Sequence, residues 1–377
     1  MNWSKKSTAF NSQYQHKKPG LAFFHIDATL LALLVLLSII GLMILYSAGQ
    51  GDNALLVRQL TRLGVAFAAM VIIAQIPPYT LRRLSPILFI LGIGLLLGVL
   101  FFGDMGKGAQ RWLNLGFFKF QPSELLKLAT PMMIAWYLSD HHLPPKLKHV
   151  IFATTFIIIP TFLIAKQPDL GTSILIASSG IAVLFLAGIS WRIIITVMAM
   201  LAALAPALWS VMKDYQRQRV LTFLNPESDP LGAGYHIIQS KIAIGSGGTS
   251  GKGWMNGSQT QLDFLPESST DFIFAVFSEE FGLIGCVGLL SIYVLIFLRS
   301  IYISIQAQDT YSRLLAGSLA ATFFVYLFVN VGMVTGILPV VGVPLPLISY
   351  GGTSMVTLLI GFGILMSIHT HRKLLSS

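Results

Sequence analysis

The stretch from Asp263 to Phe281, DFLPESSTDFIFAVFSEEF, concentrates acidic groups that could do chemistry. Of the fifteen Asp and Glu residues in the chain, it holds Asp263, Glu267, Asp271, Glu279 and Glu280. They lie where a polar segment runs into a long apolar one, and carboxylates at the mouth of a membrane span are costly without a function or a partner. Asp271 is the first candidate, because a carboxylate that faces a cavity can accept a proton from a hydroxyl group or bind a cation.

Position alone also allows a structural interpretation of this stretch. Thr270 could cap a helix that begins here, with Asp271 in its first turn, where the helix dipole stabilises a carboxylate. On such a helix Glu279 lies near the face of Asp271, and Glu280 lies about 100° away from it. An intramembrane glutamate needs a partner or a wet cavity, so Glu279 is either a site residue or half of an ion pair with a neighbouring helix.

The composition indicates a protein that is embedded in a membrane. The chain has 377 residues, of which 54% are hydrophobic and 11% charged, whereas about a quarter of the residues in soluble domains are charged. The net charge of +10 comes from Lys and Arg between apolar segments, which suits positive cytoplasmic loops better than a nucleic-acid surface. We therefore predict an all-α, polytopic integral membrane protein that contacts membrane lipid and no nucleic acid.

The apolar runs predict about ten transmembrane helices. They cover about 27–48, 60–77, 84–103, 122–139, 149–166, 172–189, 191–212, 271–298, 311–336 and 349–369. Residues 26–370 form a single membrane domain, in which 213–270 is a large loop between the seventh and eighth helices. Residues 1–25 and 371–377 are predicted to be cytoplasmic tails.

The distribution of Lys and Arg predicts the orientation of the chain. With both termini in the cytoplasm, the positive residues fall mostly on the cytoplasmic side, as in other multi-pass membrane proteins. The outer side then carries the segments that are rich in Gly, Pro, Trp and charge: DMGKGAQRWLNLGFFKFQPSE, KQPDLGT, 213–270 and ILPVVGVPLPLISYGGTS. Sites are usually built on loops of a rigid scaffold, so these four segments predict one composite site at the outer surface.

Other charged residues add candidates to this site. Glu124 and Lys127 are spaced to pair on a helix that Pro122 opens, and the pair could be structural or could take part in chemistry. Arg111 and Lys119 precede them in the chain. Basic residues at the membrane interface suit a diphosphate headgroup, and they suit ordinary interface anchoring equally well.

The glycine-rich run GSGGTSGKG, residues 245–253, resembles a phosphate-binding loop but departs from the nucleotide pattern. Gly253 follows Lys252 where a Ser or Thr is required, and no βαβ context precedes it, so no nucleotide is expected. Its exposed amides remain candidates for a phosphate or glycan oxygen. The sequence has no HExxH or CxxC zinc pattern and no GxSxG nucleophile, which leaves charge-stabilised transfer on an anionic lipid-borne substrate, or its transport.

Several long segments resemble the signature blocks of the SEDS family (shape, elongation, division and sporulation proteins), and the RodA branch fits best. They are GAQRWLNLGFFKFQPSELLKL, KQPDLGT, GYHIIQSKIAIGSGGTSGKG, FLPESSTDFIFAVFSEEFG and LPVVGVPLPLISYGGTSM, in the family's order over about residues 27–370. The resemblance implies a ten-helix inverting glycosyltransferase of the bacterial cytoplasmic membrane. It would polymerise lipid II, a disaccharide pentapeptide on undecaprenyl diphosphate, at the outer face, with a class B penicillin-binding protein as partner.

The resemblance also assigns residues. The family's essential aspartate falls on Asp271, its intramembrane Glu and Lys on Glu124 and Lys127, and the aspartate of its QPDLGT block on Asp169. The family often has His where this chain has Ser269, so any role of that histidine is in doubt here.

The implied mechanism makes Asp271 the general base that accepts a proton from the GlcNAc 4-hydroxyl of the acceptor. The charge of the leaving diphosphate would be met by a divalent cation, Mg²⁺ or Mn²⁺, or by Arg111, Lys119, Arg217 or Arg219. Lys252 and Glu279 complete the candidate substrate-binding or supporting residues. Two alternatives remain open: a lipid II flippase or other transporter, and a non-catalytic scaffold for the penicillin-binding protein.

Overall fold

The computed structural model describes residues 25–106, 109–114, 119–212, 214–225, 233–262, 264–265 and 267–371. Its helices are α1 Ala28–Ala48, α2 Asn53–Ala74, α3 Pro78–Phe102, α4 Pro122–Ser139, α5 Leu147–Lys166, α6 Leu170–Leu186, α7 Trp191–Val211, α8 Asp214–Leu224, α9 Ala233–Gly247, α10 Ser258–Gln261, α11 Ile273–Ile305, α12 Thr310–Val334 and α13 Thr353–Thr370. Three short strands, β1 Asp104–Gly106, β2 Ala109–Asn114 and β3 Lys119–Phe120, pair antiparallel in sequence order.

Each predicted span coincides with a helix, which confirms the all-α membrane fold. Within the described ranges, α1, α2, α3, α5, α11, α12 and α13 are long and apolar enough to cross a membrane. The remaining predicted spans coincide with α4, which carries two charges, with α6, which has 17 residues, and with α7. The count of ten crossings therefore stays a prediction.

Helix α12 lies at the centre of the bundle. It contacts α4, α6, α11 and α13, while α2 lies along α13, α3 along α4, and α5 along α6. The large side chains of Phe323 and Tyr326, on α12, and of Tyr293, on α11, are almost completely buried. The hydroxyl of Tyr293 donates to the Pro346 carbonyl at 2.6 Å, so this buried aromatic residue keeps its polar atom satisfied.

Two parts of the fold differ from the prediction. The stretch 213–270 is not simply a loop, because α8, α9 and α10 lie in it and α9 packs on α11. The small sheet was not predicted, since strands this short leave no apolar alternation in the sequence. The predicted tails at 1–25 and 371–377 lie outside the described residues except for His25 and His371.

Asp27 joins three helices at the end of the bundle where α1 begins. Its carboxylate caps α1 by accepting from the Leu30 amide at 2.8 Å. It also pairs with Arg299 of α11 at 2.6 Å and with His369 of α13 at 2.7 Å. Burial alone would raise the pKa of Asp27, but the hydrogen bonds from His369, Arg299 and the Leu30 amide hold it well below its usual range.

Asp27→Asn should destabilise the fold by about 3 kcal/mol, because it breaks a buried ion pair. The midpoint of thermal unfolding in detergent at pH 7 measures the loss. Since the folded pKa of Asp27 lies below the unfolded one, its contribution is complete above about pH 4 and disappears as the pH falls below that range. The difference between wild type and variant should therefore shrink in acid. Asp140→Asn, which breaks an exposed pair with Arg82, is the control and should cost under about 1 kcal/mol. Equal midpoints for wild type and Asp27→Asn would contradict this prediction.

Candidate functional site

The four segments that were predicted to form one site contact one another at one end of the bundle. Arg111 of β2 donates to the Gln167 carbonyl at 3.2 Å. Gly171 lies so close to the Val341 carbonyl that an added Cβ would be 2.7 Å from its oxygen. The Tyr350 amide donates to the Ser269 carbonyl at 2.8 Å. The segments following α3, α5, α10 and α12 thus lie together at one end of the bundle.

Asp271 lies in the turn that precedes α11 and is partly exposed. Asn330 of α12 holds the backbone of this turn, because its side-chain amide donates to the Asp271 carbonyl at 2.9 Å and to the Val343 carbonyl at 2.8 Å. Ser349 donates to the Thr270 carbonyl at 2.6 Å. An added Cβ on Gly342 would lie 3.5 Å from Asp271 Oδ2. Two hydrogen bonds to the Asp271 and Thr270 carbonyls therefore fix the backbone of the turn, and the bond from Asn330 to Val343 ties it to the segment that follows α12.

The predicted helix start at this point was wrong by two residues. α11 begins at Ile273, and its N-cap Phe272 makes no side-chain cap hydrogen bond. Thr270 instead donates to Glu267 at 2.7 Å. Asp271 therefore lies before the first turn of α11. The alternative in which the helix dipole stabilises Asp271 as a first-turn residue depended on that position.

Glu124 and Lys127 form the predicted ion pair, with 2.8 Å between Oε1 and Nζ. Both side chains are buried, and Ser354 of α13 also donates to Glu124 Oε1 at 2.9 Å. Lys127 Nζ lies 5.4 Å from the centre of the Tyr326 ring. The Oε2 atom of Glu124 is buried and has no hydrogen-bond partner among the described residues, so within that part of the chain the pair retains an acceptor for a further donor.

A cavity of about 750 Å³ opens beside this pair, between α2, α4, α13 and the small sheet. Its polar end carries Arg62, Glu124 and Thr353, whereas its deeper wall is apolar and includes Val65, Val356 and Ile360. The guanidinium of Arg62 lies 4.6 Å from the centre of the Tyr350 ring. Because Tyr350 also binds the Ser269 carbonyl, this residue links the cavity to the Asp271 turn.

The other predicted site residues have local partners. Asp169 caps α6 by accepting from the Thr172 amide at 3.2 Å, and it also accepts from Gln121 at 3.1 Å. Arg111 lies 4.0 Å from the same carboxylate. Arg217 donates to the Trp209 and Ser210 carbonyls at the end of α7. The side chains of Lys119 and Arg219 lie outside the described residues.

Lys252 and Glu279 form an ion pair, with 2.6 Å between Nζ and Oε1. The Glu279 side chain is completely buried, and it further accepts from Ser258 at 3.0 Å. The idea that amides of the glycine-rich run meet a phosphate or glycan is wrong for two of them. The Lys252 and Gly253 amides donate to the Glu279 and Glu280 carbonyls, each at 3.0 Å.

Sequence reasoning missed Arg62, Asn330 and Gly342 as parts of this site. Arg62 stands within the apolar α2, and an intramembrane cation is itself a signal of function. Asn330 interrupts the apolar α12 in the same way. Gly342 gave no such signal, because its proximity to Asp271 exists only in the folded chain.

The described residues contain no group of three or more His, Cys, Asp or Glu side chains that could hold a metal ion. Asp271 offers one carboxylate, which is at most a partial set of oxygen ligands. Mg²⁺ is usually held by one or two carboxylates together with substrate phosphates, so such a set fits a cation that arrives with an anionic substrate.

A helical bundle of membrane-spanning length, with a cavity lined by charged and apolar side chains at one end, defines a polytopic membrane protein. Residues 21–374 match the family model of FtsW, RodA and SpoVE, described as cell cycle proteins. The chain belongs to this family.

The chain is similar to proteins of this family over nearly its whole length. It is 54% identical over 353 residues to the peptidoglycan glycosyltransferase MrdB of Escherichia coli K12, covering 93% of this chain and 95% of that protein. A structure described as coordinating polymerization and crosslinking by a peptidoglycan synthase complex matches with a TM-score of 0.80 and 33% identity, over 91% of this chain and 97% of that one. The rod shape determining protein RodA of Thermus thermophilus matches with a TM-score of 0.70 and 27% identity, over 92% and 98%.

Lys127→Met should destabilise the protein by about 3 kcal/mol, because it leaves the buried Glu124 without its cation. Combining it with Glu124→Gln should recover most of that loss, since no unpaired charge then remains. Thermal unfolding midpoints in detergent for the single and double variants measure both effects. A double variant as unstable as the single one would show that the pair does not act as a unit.

Proposed function

We propose that the chain polymerises lipid II into glycan strands, with Asp271 as the general base, for cell elongation and rod shape. It is a peptidoglycan glycosyltransferase, as the names of its relatives indicate. The observation that carries the proposal is that Tyr350 contacts two places at once. Its amide binds the segment of the Asp271 turn, and its ring contacts Arg62 of a cavity with a charged end and an apolar wall. Such a cavity suits an isoprenoid diphosphate, whose chain is apolar and whose headgroup is anionic.

The chemistry requires one base and a good leaving group. Asp271 accepts the proton of the GlcNAc 4-hydroxyl, and that oxygen forms the new bond to C1 of the terminal MurNAc on the growing strand. The bond from C1 to the diphosphate oxygen breaks as the undecaprenyl diphosphate departs with the electron pair. Attack from the face opposite the leaving group inverts the linkage from α to β.

The departing diphosphate needs positive charge to stabilise it. Arg62 stands at the polar end of the cavity, and it joins Arg111, Lys119, Arg217 and Arg219 as a candidate for that role. A divalent cation bound by the substrate phosphates would supply further positive charge to stabilise the leaving group.

We also propose the surroundings in which this reaction takes place. The chain lies in the bacterial cytoplasmic membrane with both termini inside and the Asp271 surface outside, as the Lys and Arg distribution favours. Its partner is a class B penicillin-binding protein, in keeping with the synthase complex whose structure it resembles.

Alkaline phosphatase fused after His371 should be inactive in cells, because the C-terminus is proposed to lie in the cytoplasm. An active fusion would overturn the proposed orientation.

Asp271→Asn should lower glycan polymerisation by at least about a hundredfold, because the amide cannot take the proton. Purified wild type and variant, each with and without the penicillin-binding protein, are given labelled lipid II, and glycan ladders are resolved on a gel. Asp140→Asn, far from the Asp271 surface, is the matched control and should polymerise normally.

Loss of glycan ladders after chelation by EDTA, with recovery on adding Mn²⁺, would support a role for a divalent cation in the reaction.

Two outcomes would overturn the proposal. Retained ladders in Asp271→Asn would remove the general base. An absence of ladders from wild type in every arm, with lipid II instead crossing a vesicle bilayer, would make the chain a transporter.

Gly342→Ala should reduce polymerisation by at least about tenfold while the protein still inserts. Gly342 has φ of +75°, which an alanine adopts only at a cost. Relief of this strain would move the backbone beside Asp271, because the Cβ position of Gly342 is only 3.5 Å from Asp271 Oδ2. A shift of the base by a fraction of an ångström is enough for such a loss. Gly351→Ala is the control, since an added Cβ there has no neighbour within 4 Å. Equal rates for the two variants would argue against a constrained Asp271.

A further inference from the structure

Helix α11 is broken within the membrane domain, at Gly282. This residue has φ of 62° and ψ of −163°, which is not a helical conformation. The break divides α11 into an outer half, residues 273–281, and an inner half, residues 283–305. The outer half begins two residues after Asp271, so its direction sets where that carboxylate lies.

The segment 247–253, which we call the insertion loop, occupies the break. In an unbroken helix the Leu283 and Ile284 amides would donate to the Glu279 and Glu280 carbonyls. Here those amides donate to Gly248 and Thr249 carbonyls at 2.9 and 3.1 Å, and the two carbonyls accept from Lys252 and Gly253 amides at 3.0 Å each. The insertion loop thus satisfies backbone groups that a bilayer would leave unpaired.

The fit of the insertion loop depends on glycine. An added Cβ on Gly251 would lie 2.1 Å from the Glu280 carbonyl oxygen, and one on Gly282 would lie 2.3 Å from the Gly251 nitrogen. Both residues have positive φ, of 78° and 62°. The glycines of this run therefore allow the backbone of the insertion loop to pack directly on the backbone of α11. This use of glycine differs from phosphate binding.

Lys252 fastens the insertion loop to the outer half of α11. Its Nζ lies 2.6 Å from Glu279 Oε1 and donates to Ser258 Oγ at 2.7 Å. The Gln259 amide also donates to Glu279, at 3.2 Å. A completely buried carboxylate with these donors has one stable position, and the helix that carries it is held with it.

We propose that Lys252 is a positioning residue for Asp271, acting through Glu279 and the outer half of α11. This inference rests on the proposed function of Asp271. The outer half is about 13 Å long at 1.5 Å per residue, so a tilt of about 5° displaces its first turn by about 1 Å. A displacement of about 1 Å can cost a hundredfold in rate. Loss of the Lys252 contact should reduce turnover without weakening the binding of lipid II.

Cys286 provides a reporter of the break that is independent of activity. It is the one cysteine of the chain, lies on the inner half, and donates to Ser278 Oγ of the outer half at 3.1 Å. The thiol also lines a cavity of about 400 Å³ with Gly248, Ser278 and Gly282. Movement of the outer half should part Ser278 from the thiol and speed its reaction with N-ethylmaleimide.

The test compares Lys252→Ala, Lys252→Arg and wild type, each purified with the penicillin-binding partner. Lys252→Ala should lower kcat for lipid II polymerisation about tenfold, leave KM within about twofold, and label Cys286 several times faster. Lys252→Arg, which keeps the charge, should restore most of the wild-type kcat and most of the slow Cys286 labelling. Ser250→Ala, an exposed position of the insertion loop, is the matched control and should behave as wild type. If Lys252→Ala does not fold, Lys252→Met keeps the aliphatic stem and takes its place.

The outcomes separate this inference from the proposed function. A raised KM with unchanged Cys286 labelling would mean that Lys252 binds substrate directly, and it would overturn the inference. Unchanged kcat and labelling would also overturn it. If wild type makes no glycan, the proposed function fails on its own, and unchanged labelling in Lys252→Ala would then separately refute the coupling across the break.

Discussion

The structure depends on the rule that a backbone amide or carbonyl inside a bilayer must find a partner within the protein. A continuous helix meets that rule by itself, but α11 does not, because Gly282 interrupts it next to the proposed catalytic turn. The insertion loop supplies the missing partners from another part of the chain. The outer half of α11 follows the turn in which Asp271 contacts Asn330 and lies beside Gly342.

Two of the buried carboxylates in this protein, Asp27 and Glu279, form ion pairs with segments that are distant in sequence. Asp27 links the beginning of α1 to α11 and α13 at one end of the bundle. Glu279 and Lys252 link α11 to the insertion loop at the other. Glu124 and Lys127 differ, since they lie on one helix and reach α13 only through Ser354. Glu124 also lines the neighbouring cavity, and its buried Oε2 has no hydrogen-bond partner within the described ranges.

The cavity and the Asp271 turn give the surface two unlike parts. The cavity has a charged end and an apolar wall, which suits the anchor of a lipid-linked substrate. The turn is polar and held by main-chain hydrogen bonds, which suits a base that must not move during transfer. Tyr350 contacts both parts, so the segment between α12 and α13 connects the cavity to the Asp271 turn.

The sequence by itself determined the helices, because runs of apolar residues this long have no other stable form in a bilayer. It also predicted the Glu124 and Lys127 ion pair and the gathering of four polar segments at one end, while the role of Asp271 stays a prediction. The tertiary structure alone decided that Glu279 pairs with Lys252 and that the glycine-rich run enters α11. These contacts join residues that are far apart in the chain, and no local pattern reports which carbonyls a distant loop will satisfy. Gly342 and Arg62 acquired their places beside the site for the same reason, since proximity across helices is a property of packing.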